Sequence, residues 1–413
     1  MSTEPQELTM QERLQKKEVQ MSTLGAPDTV TAQRRAALGV MESPTLDSWQ
    51  EGPHNRWVFR NVEETIPSAR ISHRPASAVM PSLGLGAIEG VSDLASRLES
   101  TYTDGLVVER GGQVVAEYYA PGFGPGQTHL LMSVSKSLCA IVVGSLCDDG
   151  LIDPLRNLEH YLPGLAGSAF ADATIEQLLD MTAAVDYSED YDDPASEVQL
   201  QDRAGGWRTN RPGDPADTYE FLARLKRSKP HGEVFQYCSA TTDTLGLLVE
   251  AVTGQRYSEV LAERLWSKLG ADQEARISID RGGIAIANAG ISCTTRDLAR
   301  VGRLMLSGGV AAGGRVVSEQ WVAQTLAGGD SSKWQSARRD LYPEGSYRNQ
   351  WWATGNARGN VYAVGIYGQY IWLDPASDTV IAKFSTEPAA VGTASAAAHS
   401  ELFADICEVF AGE

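Results

Sequence analysis

The run Leu138-Cys139-Ala140-Ile141-Val142-Val143-Gly144-Ser145-Leu146 carries no charge and is too apolar to lie open to water. It begins at Leu130-Leu131-Met132-Ser133 and closes at Asp148-Asp149-Gly150, which predicts a buried helix about four turns long with a glycine stop. The rest of the chain must be arranged around it. Ser133 lies at the helix start and Lys136 three residues later. At about 100° and 1.5 Å per residue the two side chains share one face, roughly one turn apart, so the amine can reach the hydroxyl. Free backbone N–H groups at the helix start add positive potential beside both. That potential, with desolvation, lowers a lysine pKa and lets Lys136 act as a neutral base toward Ser133. Spacing alone equally describes a surface lysine one turn after a serine cap. The apolar context decides between them, because a lone charge on such a helix is costly unless it is used or paired.

The chain has 413 residues, 42% hydrophobic and 21% charged, which is enough for a large core shared by two subdomains. A net charge of -18 argues against nucleic acid and anionic membrane surfaces as partners. The first residues are polar and lead into no secretory signal, and no run of 18 apolar residues exists to span a bilayer. Cys139 and Cys147 share the buried helix about 12 Å apart, too far to bridge. With five cysteines, an odd count, a reduced and cytoplasmic protein is expected.

Residues 1–45 are polar, with a short amphipathic stretch at Gln11–Glu18, and read as a mobile arm. Ile88, Val91, Leu94, Ala95 and Leu98 have helical spacing within Leu83–Tyr102. Leu106–Arg110, Gly111-Gly112 and Gln113–Tyr118 predict a hairpin. Thr174-Ile175-Glu176-Gln177 is a capping box. Helices are expected at Thr218–Leu225, Thr241–Gly254, Leu298–Leu306 behind Thr294, and Ser318–Leu326. The loop Asp186–Asp193 is acidic, and for most of its carboxylates a solvated role is expected. Val361–Leu373 and Thr379–Ser385 are β-rich and joined by a turn at Asp374–Asp378, and an Ala-rich helix runs from Thr393 to Phe410. The order predicts an α/β domain from both ends, 46–125 and 290–413, around a mostly helical insertion, 126–289, that carries the serine.

A serine attacking an acyl carbon needs a base, an acid for the leaving group and two N–H donors for the oxyanion. The chain has no Gly-x-Ser-x-Gly elbow, Cys-x-x-Cys, His-Glu-x-x-His or Walker-type lysine. No metal or organic cofactor is expected. None of the six histidines sits in a motif: His129 reads as structural, and Cys238 as a packed small residue.

Ser133-Val134-Ser135-Lys136 resembles the active-site box of serine β-lactamases and penicillin-binding proteins, and Tyr237-Cys238-Ser239 stands where their class C and esterase branch has its tyrosine. More narrowly, Ser43–Gln50, Leu131–Leu138, Gly205–Thr209, Gly213–Phe221, Phe235–Ser239 and Gln350-Trp351-Trp352 resemble the nylon-oligomer hydrolases. The resemblance implies a β-lactamase-like α/β (α+β) fold: an antiparallel sheet flanked by N- and C-terminal helices, with an inserted α-helical domain. It implies Ser133 as nucleophile, Lys136 as its base and Tyr237 as second member of the proton relay, with a phenol pKa pulled down beside a cationic lysine. Where a Lys-Thr-Gly box would stand, the chain has Ile366-Tyr367-Gly368-Gln369. Gly368 would let substrate lie along the strand edge, and the N–H groups of Ser133 and Gln369 would form the oxyanion hole. The cation that meets a β-lactam carboxylate is missing from that box, so efficient β-lactam hydrolysis is not expected.

Tyr191, Asp202 and Asn288 match substrate-contacting positions, with Asp202 the expected partner of a substrate ammonium. The implied activity is cleavage of linear 6-aminohexanoate oligomer amides and short carboxylic esters through an acyl-enzyme, by a homodimer. The alternatives are a carboxylesterase or D-amino-acid amidase/peptidase without nylon-oligomer activity, and a non-catalytic sensor that acylates without turnover. Retention of both Lys136 and Tyr237 argues against the sensor.

Overall fold

The apolar run after Ser133 forms a single helix, α2 (Val134–Asp148), and all its residues from Val134 to Leu146 are buried. The computed structural model describes residues 29–72 and 82–411. The helix expected at Gln11–Glu18 lies outside the described residues. The chain divides into two units, residues 1–43 and 44–413. In the first, Thr29 caps a short helix, Val30–Ala37, by accepting from the Ala32 N–H at 3.1 Å.

The second unit is built on a seven-stranded antiparallel sheet. Its strands are β1 (Thr103–Arg110), β2 (Gln113–Tyr119), β3 (Ser346–Arg348), β4 (Trp351–Ala353), β5 (Val361–Gly365), β6 (Gln369–Asp374) and β7 (Thr379–Ser385). Their spatial order is β2-β1-β7-β6-β5-β4-β3. The expected Gly111-Gly112 hairpin is β1–β2, both glycines left-handed. The run Val361–Leu373 is not one strand. It folds on itself at Ile366-Tyr367-Gly368, with Gly365 opposite Gln369. Left-handed backbone at Tyr367 (φ 64°) and Gly368 (φ 87°) makes that turn.

Between Leu83 and Tyr102 the helical spacing is cut in two: a 3₁₀ turn at Gly86–Ile88 and a short helix, α1 (Leu94–Ser100). Asp93, left-handed at φ 53°, breaks the run, yet Ile88, Val91, Leu94 and Leu98 still bury one apolar face against the sheet. The capping box at Thr174 and Gln177 forms reciprocally. Helix α3 (Ala240–Thr253) ends on left-handed Gly254. Thr294 caps α4 (Thr295–Leu306) through the Asp297 N–H. Helix α4 crosses the sheet at Gly302, where a Cβ would fall 2.4 Å from Val380 Cγ1, so only glycine permits that approach. The other face is covered by α5 (Thr393–Val409), whose Leu402, Phe403 and Ile406 join the second apolar cluster.

A smaller four-stranded sheet joins Ser68–Ile71, Ala275–Ser278, Ile291–Cys293 and His129–Leu130, and its last strand leads into α2. His129 is buried there between the Asp104 carboxylate (3.1 Å) and the Leu130 carbonyl (2.9 Å), with its ring stacked on Phe384, a structural role as expected. All five cysteines are free thiols. No helix among the described residues is long and apolar enough to cross a membrane.

Candidate active site

Ser133 stands where strand His129–Leu130 turns into α2. The residue before it, Met132, is left-handed at φ 46° although it carries a Cβ. Such a conformation costs on the order of 1–3 kcal/mol and persists only when its surroundings enforce it. Here they do: Leu131 N–H donates to the Ile291 carbonyl at 2.8 Å, and Ser135 N–H to the Met132 carbonyl at 3.0 Å. The Ser133 hydroxyl makes no helix-capping bond and lies on the wall of a cleft of about 500 Å³.

Lys136 is buried, and its Nζ lies 2.8 Å from Ser133 Oγ and 3.0 Å from the Asn288 carbonyl. Protonated, it donates to both; neutral, the same contact lets it accept the hydroxyl proton. Burial drives its pKa down to about 8, against the charges of Glu189 and Asp243, which favour the ammonium. Asp243, which sequence reasoning passed over, fixes the carbonyl that Lys136 touches. Its carboxylate accepts from the Asn288 backbone N–H (2.9 Å), the Asn288 side-chain amide (2.7 Å) and Gln201 (2.6 Å).

Tyr237 lines the same cleft as Ser133, and the Lys136 amine lies 5.2 Å from its ring centre. Its ring stacks on Trp352 at 5.3 Å. The expected lowering of the phenol pKa does not occur. Burial and the Glu189 carboxylate raise it, outweighing the lowering influence of the Ser133 hydroxyl and the Arg338 charge, so Tyr237 rests as a neutral phenol with its proton to give. Trp352 is held in turn by Gln350, left-handed at φ 61°, which bolts the strand to both helices. Its carbonyl accepts from Ser137 at 2.7 Å and its side chain from Thr242 at 2.8 Å.

The strand segment beside Ser133 is not the one expected. Gln369 is buried, does not line the cleft, and spends its side-chain amide on the Tyr367 (3.0 Å) and Ser385 (2.7 Å) carbonyls. Gly368 belongs to the turn, not to the strand edge. The hairpin shifts the edge back to Gly365-Ile366, because a Cβ on Gly365 would fall 2.6 Å from the Leu131 carbonyl and 3.0 Å from the Ser133 nitrogen. Among the described residues neither the Ser133 nor the Ile366 N–H donates to an acceptor of the fold, which leaves both for an oxyanion. Gly365→Ala is therefore expected to push the strand off Ser133 and lower kcat by roughly 10- to 100-fold, read against KM in ester hydrolysis. An unchanged kcat would separate this strand from the chemistry.

Of the three expected substrate contacts, only Tyr191 lines the cleft, its hydroxyl donating to Glu189 at 2.6 Å. Asp202 is not free. It pairs with Arg208 at 3.2 Å and accepts from Gln50 at 3.1 Å, within electrostatic reach of Lys136 and Tyr191 but away from the cleft wall. Asn288 has its side chain bound to Asp243 and offers the site its backbone carbonyl. Most carboxylates of the acidic loop are solvated as expected, with Asp186, Asp190, Asp192 and Asp193 exposed; Glu189 is the exception, half-buried, and together with Asp190 and Asp192 it lines the cleft. Glu189 also clamps Ser239 through its backbone N–H (3.0 Å) and hydroxyl (2.5 Å). No spacing in the sequence marks Glu189, since Ser239, which it clamps, lies 50 residues away. A separate cavity of about 480 Å³, near Glu176, Asp180 and Arg348, contains neither Ser133 nor Tyr237.

This arrangement has counterparts among known proteins. The β-lactamase family model matches residues 94–405, more than half of the chain. A 6-aminohexanoate-dimer hydrolase of Paenarthrobacter ureafaciens is 56% identical over 348 residues, 84% of this chain and 88% of the relative. A Bacillus anthracis structure provisionally assigned as a 6-aminohexanoate-dimer hydrolase superposes with a TM-score of 0.77 at 27% identity, covering 88% of this chain and 96% of that one. A family VIII carboxylesterase shares the fold at 15% identity, with a TM-score of 0.58 over 84% of this chain and 99% of that one. The extent of the family match and the identity to a curated hydrolase mean that this chain belongs to the β-lactamase family of serine hydrolases.

Proposed function

We propose that this hydrolase works through an acyl-enzyme on Ser133 and cleaves the amide bond of linear 6-aminohexanoate oligomers together with short-chain carboxylic esters. The observation that carries the reading is the 2.8 Å contact between Lys136 Nζ and Ser133 Oγ, on a buried lysine whose pKa falls to about 8. Neutral Lys136 takes the hydroxyl proton as Oγ attacks the acyl carbon. The oxyanion accepts from the Ser133 and Ile366 N–H groups. Tyr237 gives its phenolic proton to the leaving nitrogen or oxygen and recovers one from Lys136, so the relay ends with the same charge it began with. Water then attacks the acyl-serine with the proton transfers reversed.

The substrate class draws on the 56% identity to the 6-aminohexanoate-dimer hydrolase. A linear oligomer carries a free ammonium, and the carboxylates of Glu189, Asp190 and Asp192 surround the Tyr191 side of the cleft, with Asp202 behind them. Their individual contributions as exposed charges are small, so attraction comes from the group. Tyr191 can offer its hydroxyl to the substrate amide. A second reading, a carboxylesterase without amide activity, is favoured by the same machinery because an alkoxide leaves more easily than an amine.

The deciding experiment gives the pure enzyme the linear dimer and p-nitrophenyl acetate. Release of 6-aminohexanoate monomer and sustained p-nitrophenol production are expected. Ester turnover with no monomer would leave an esterase, and a stoichiometric burst followed by nothing would leave an acyl-binding sensor.

A further inference from the structure

The cleft beside Ser133 holds a cation that this reaction scheme does not use. Among the described residues lining it, Arg338 is the only basic one. It lies half-buried on the loop between the 3₁₀ turn Ser331–Lys333 and strand β3. Its guanidinium sits 5.4 Å from the Trp352 ring centre and 5.8 Å from that of Tyr362, with Tyr370 within its electrostatic reach. Among the described residues no carboxylate forms an ion pair with it. Glu387, also on the cleft wall, is committed to His399 (2.7 Å) and Ser395. A half-buried guanidinium seated against aromatic faces, without an ion-pair partner among the described residues, suits a carboxylate through two parallel hydrogen bonds.

Its position says which part of a substrate it meets. Trp352, under the guanidinium, is the ring on which Tyr237 stacks, and the Arg338 charge reaches the Tyr237 phenol. Tyr237 protonates the departing atom, so the wall beyond it belongs to the leaving group. Leu341 and Ala396 line that wall beside Arg338 and provide apolar surface for a spacer. The Glu189–Asp192 side repels an anion. We infer that Arg338 is a specificity-determining residue that binds a carboxylate carried by the leaving group, so that the preferred substrates release an amine or alcohol ending in a carboxylate. This inference rests on the serine-hydrolase reading above. It also supplies, from a different loop, the cation missing from the Ile366–Gln369 box.

The test compares two acetate esters that differ only in the leaving group's charge, 4-acetoxybenzoate and 4-acetoxybenzamide, each corrected for its spontaneous hydrolysis. Wild type is expected to show a kcat/KM ratio favouring the carboxylate. Arg338→Gln is expected to lower that ratio tenfold or more, mainly through KM, while Arg338→Lys keeps part of the preference. A ratio that Arg338→Gln leaves unchanged makes Arg338 a structural cation of the aromatic cluster and overturns the inference. Turnover of neither ester by wild type overturns the underlying serine-hydrolase reading instead. Should Arg338→Gln fail to fold, the products decide on wild type alone. 4-Hydroxybenzoate is expected to inhibit competitively with a Ki at least tenfold below that of 4-hydroxybenzamide, and equal Ki values overturn the inference.

Discussion

Ser133→Ala is expected to remove hydrolysis of p-nitrophenyl acetate and of the linear dimer together, each by at least about 10³-fold in kcat/KM. Loss of both follows if one hydroxyl is the nucleophile for esters and amides alike, as a single cleft containing Ser133 and Tyr237 requires. The fold is expected to survive. The hydroxyl caps no helix, and the amine it touches keeps the Asn288 carbonyl at 3.0 Å. Circular dichroism and a melting curve close to those of wild type would show that chemistry, not structure, was removed. Activity surviving the substitution would sink the acyl-enzyme reading, and loss of one activity alone would demand a second site.

Legibility from sequence divided along physical lines. Elements set by local patterns were read correctly: the buried α2, the glycine hairpin, the reciprocal cap at Thr174 and Gln177, and the caps of α3 and α4. The Ser133–Lys136 contact was readable for the same reason, since one helical turn separates them. What failed depended on where a chain reverses. The Tyr367-Gly368 turn splits a continuous β-rich run, moves the strand edge from Gly368-Gln369 to Gly365-Ile366, and so changes which N–H faces Ser133. Left-handed tyrosine is rare enough that no propensity would place a turn there.

Electrostatic surroundings were the least legible. A carboxylate in an acidic loop reads as solvated until the fold closes the loop over Ser239, as it does for Glu189. Asp202 reads as available until Arg208 is found beside it. The Tyr237 phenol reads as lowered by a neighbouring ammonium until burial and Glu189 are counted, and these dominate. Each error has the same origin: charge and desolvation are sums over residues far apart in sequence.

The same sums give opposite signs for activity and stability at Lys136. Lys136→Met is expected to lower kcat/KM by roughly 10²- to 10⁴-fold, the range for removing a general base, and also to raise the melting temperature. Burial brings the lysine from 10.5 to about 8, and at 1.36 kcal/mol per pKa unit its ammonium costs the fold roughly 3 kcal/mol at neutral pH. The sign follows from linkage. Between about 8 and 10.5 the unfolded chain holds more protons at this site than the folded one, so wild-type stability rises with pH across that window. The Met variant should therefore gain most below pH 8 and lose its advantage as pH approaches 10.5. Wild-type kcat/KM should climb about tenfold per pH unit below 8 and level off above it, as Lys136 becomes the neutral base. Glu189→Gln should move that limb to lower pH, because the Glu189 charge is the largest influence holding the ammonium in place against burial. Melting curves and pH–rate profiles of the two variants test both halves. A Met variant less stable than wild type at pH 7 would mean that the contacts of Lys136 with Ser133 and Asn288 outweigh its desolvation. A limb that stays put in Glu189→Gln would mean that Lys136 is not the titrating base.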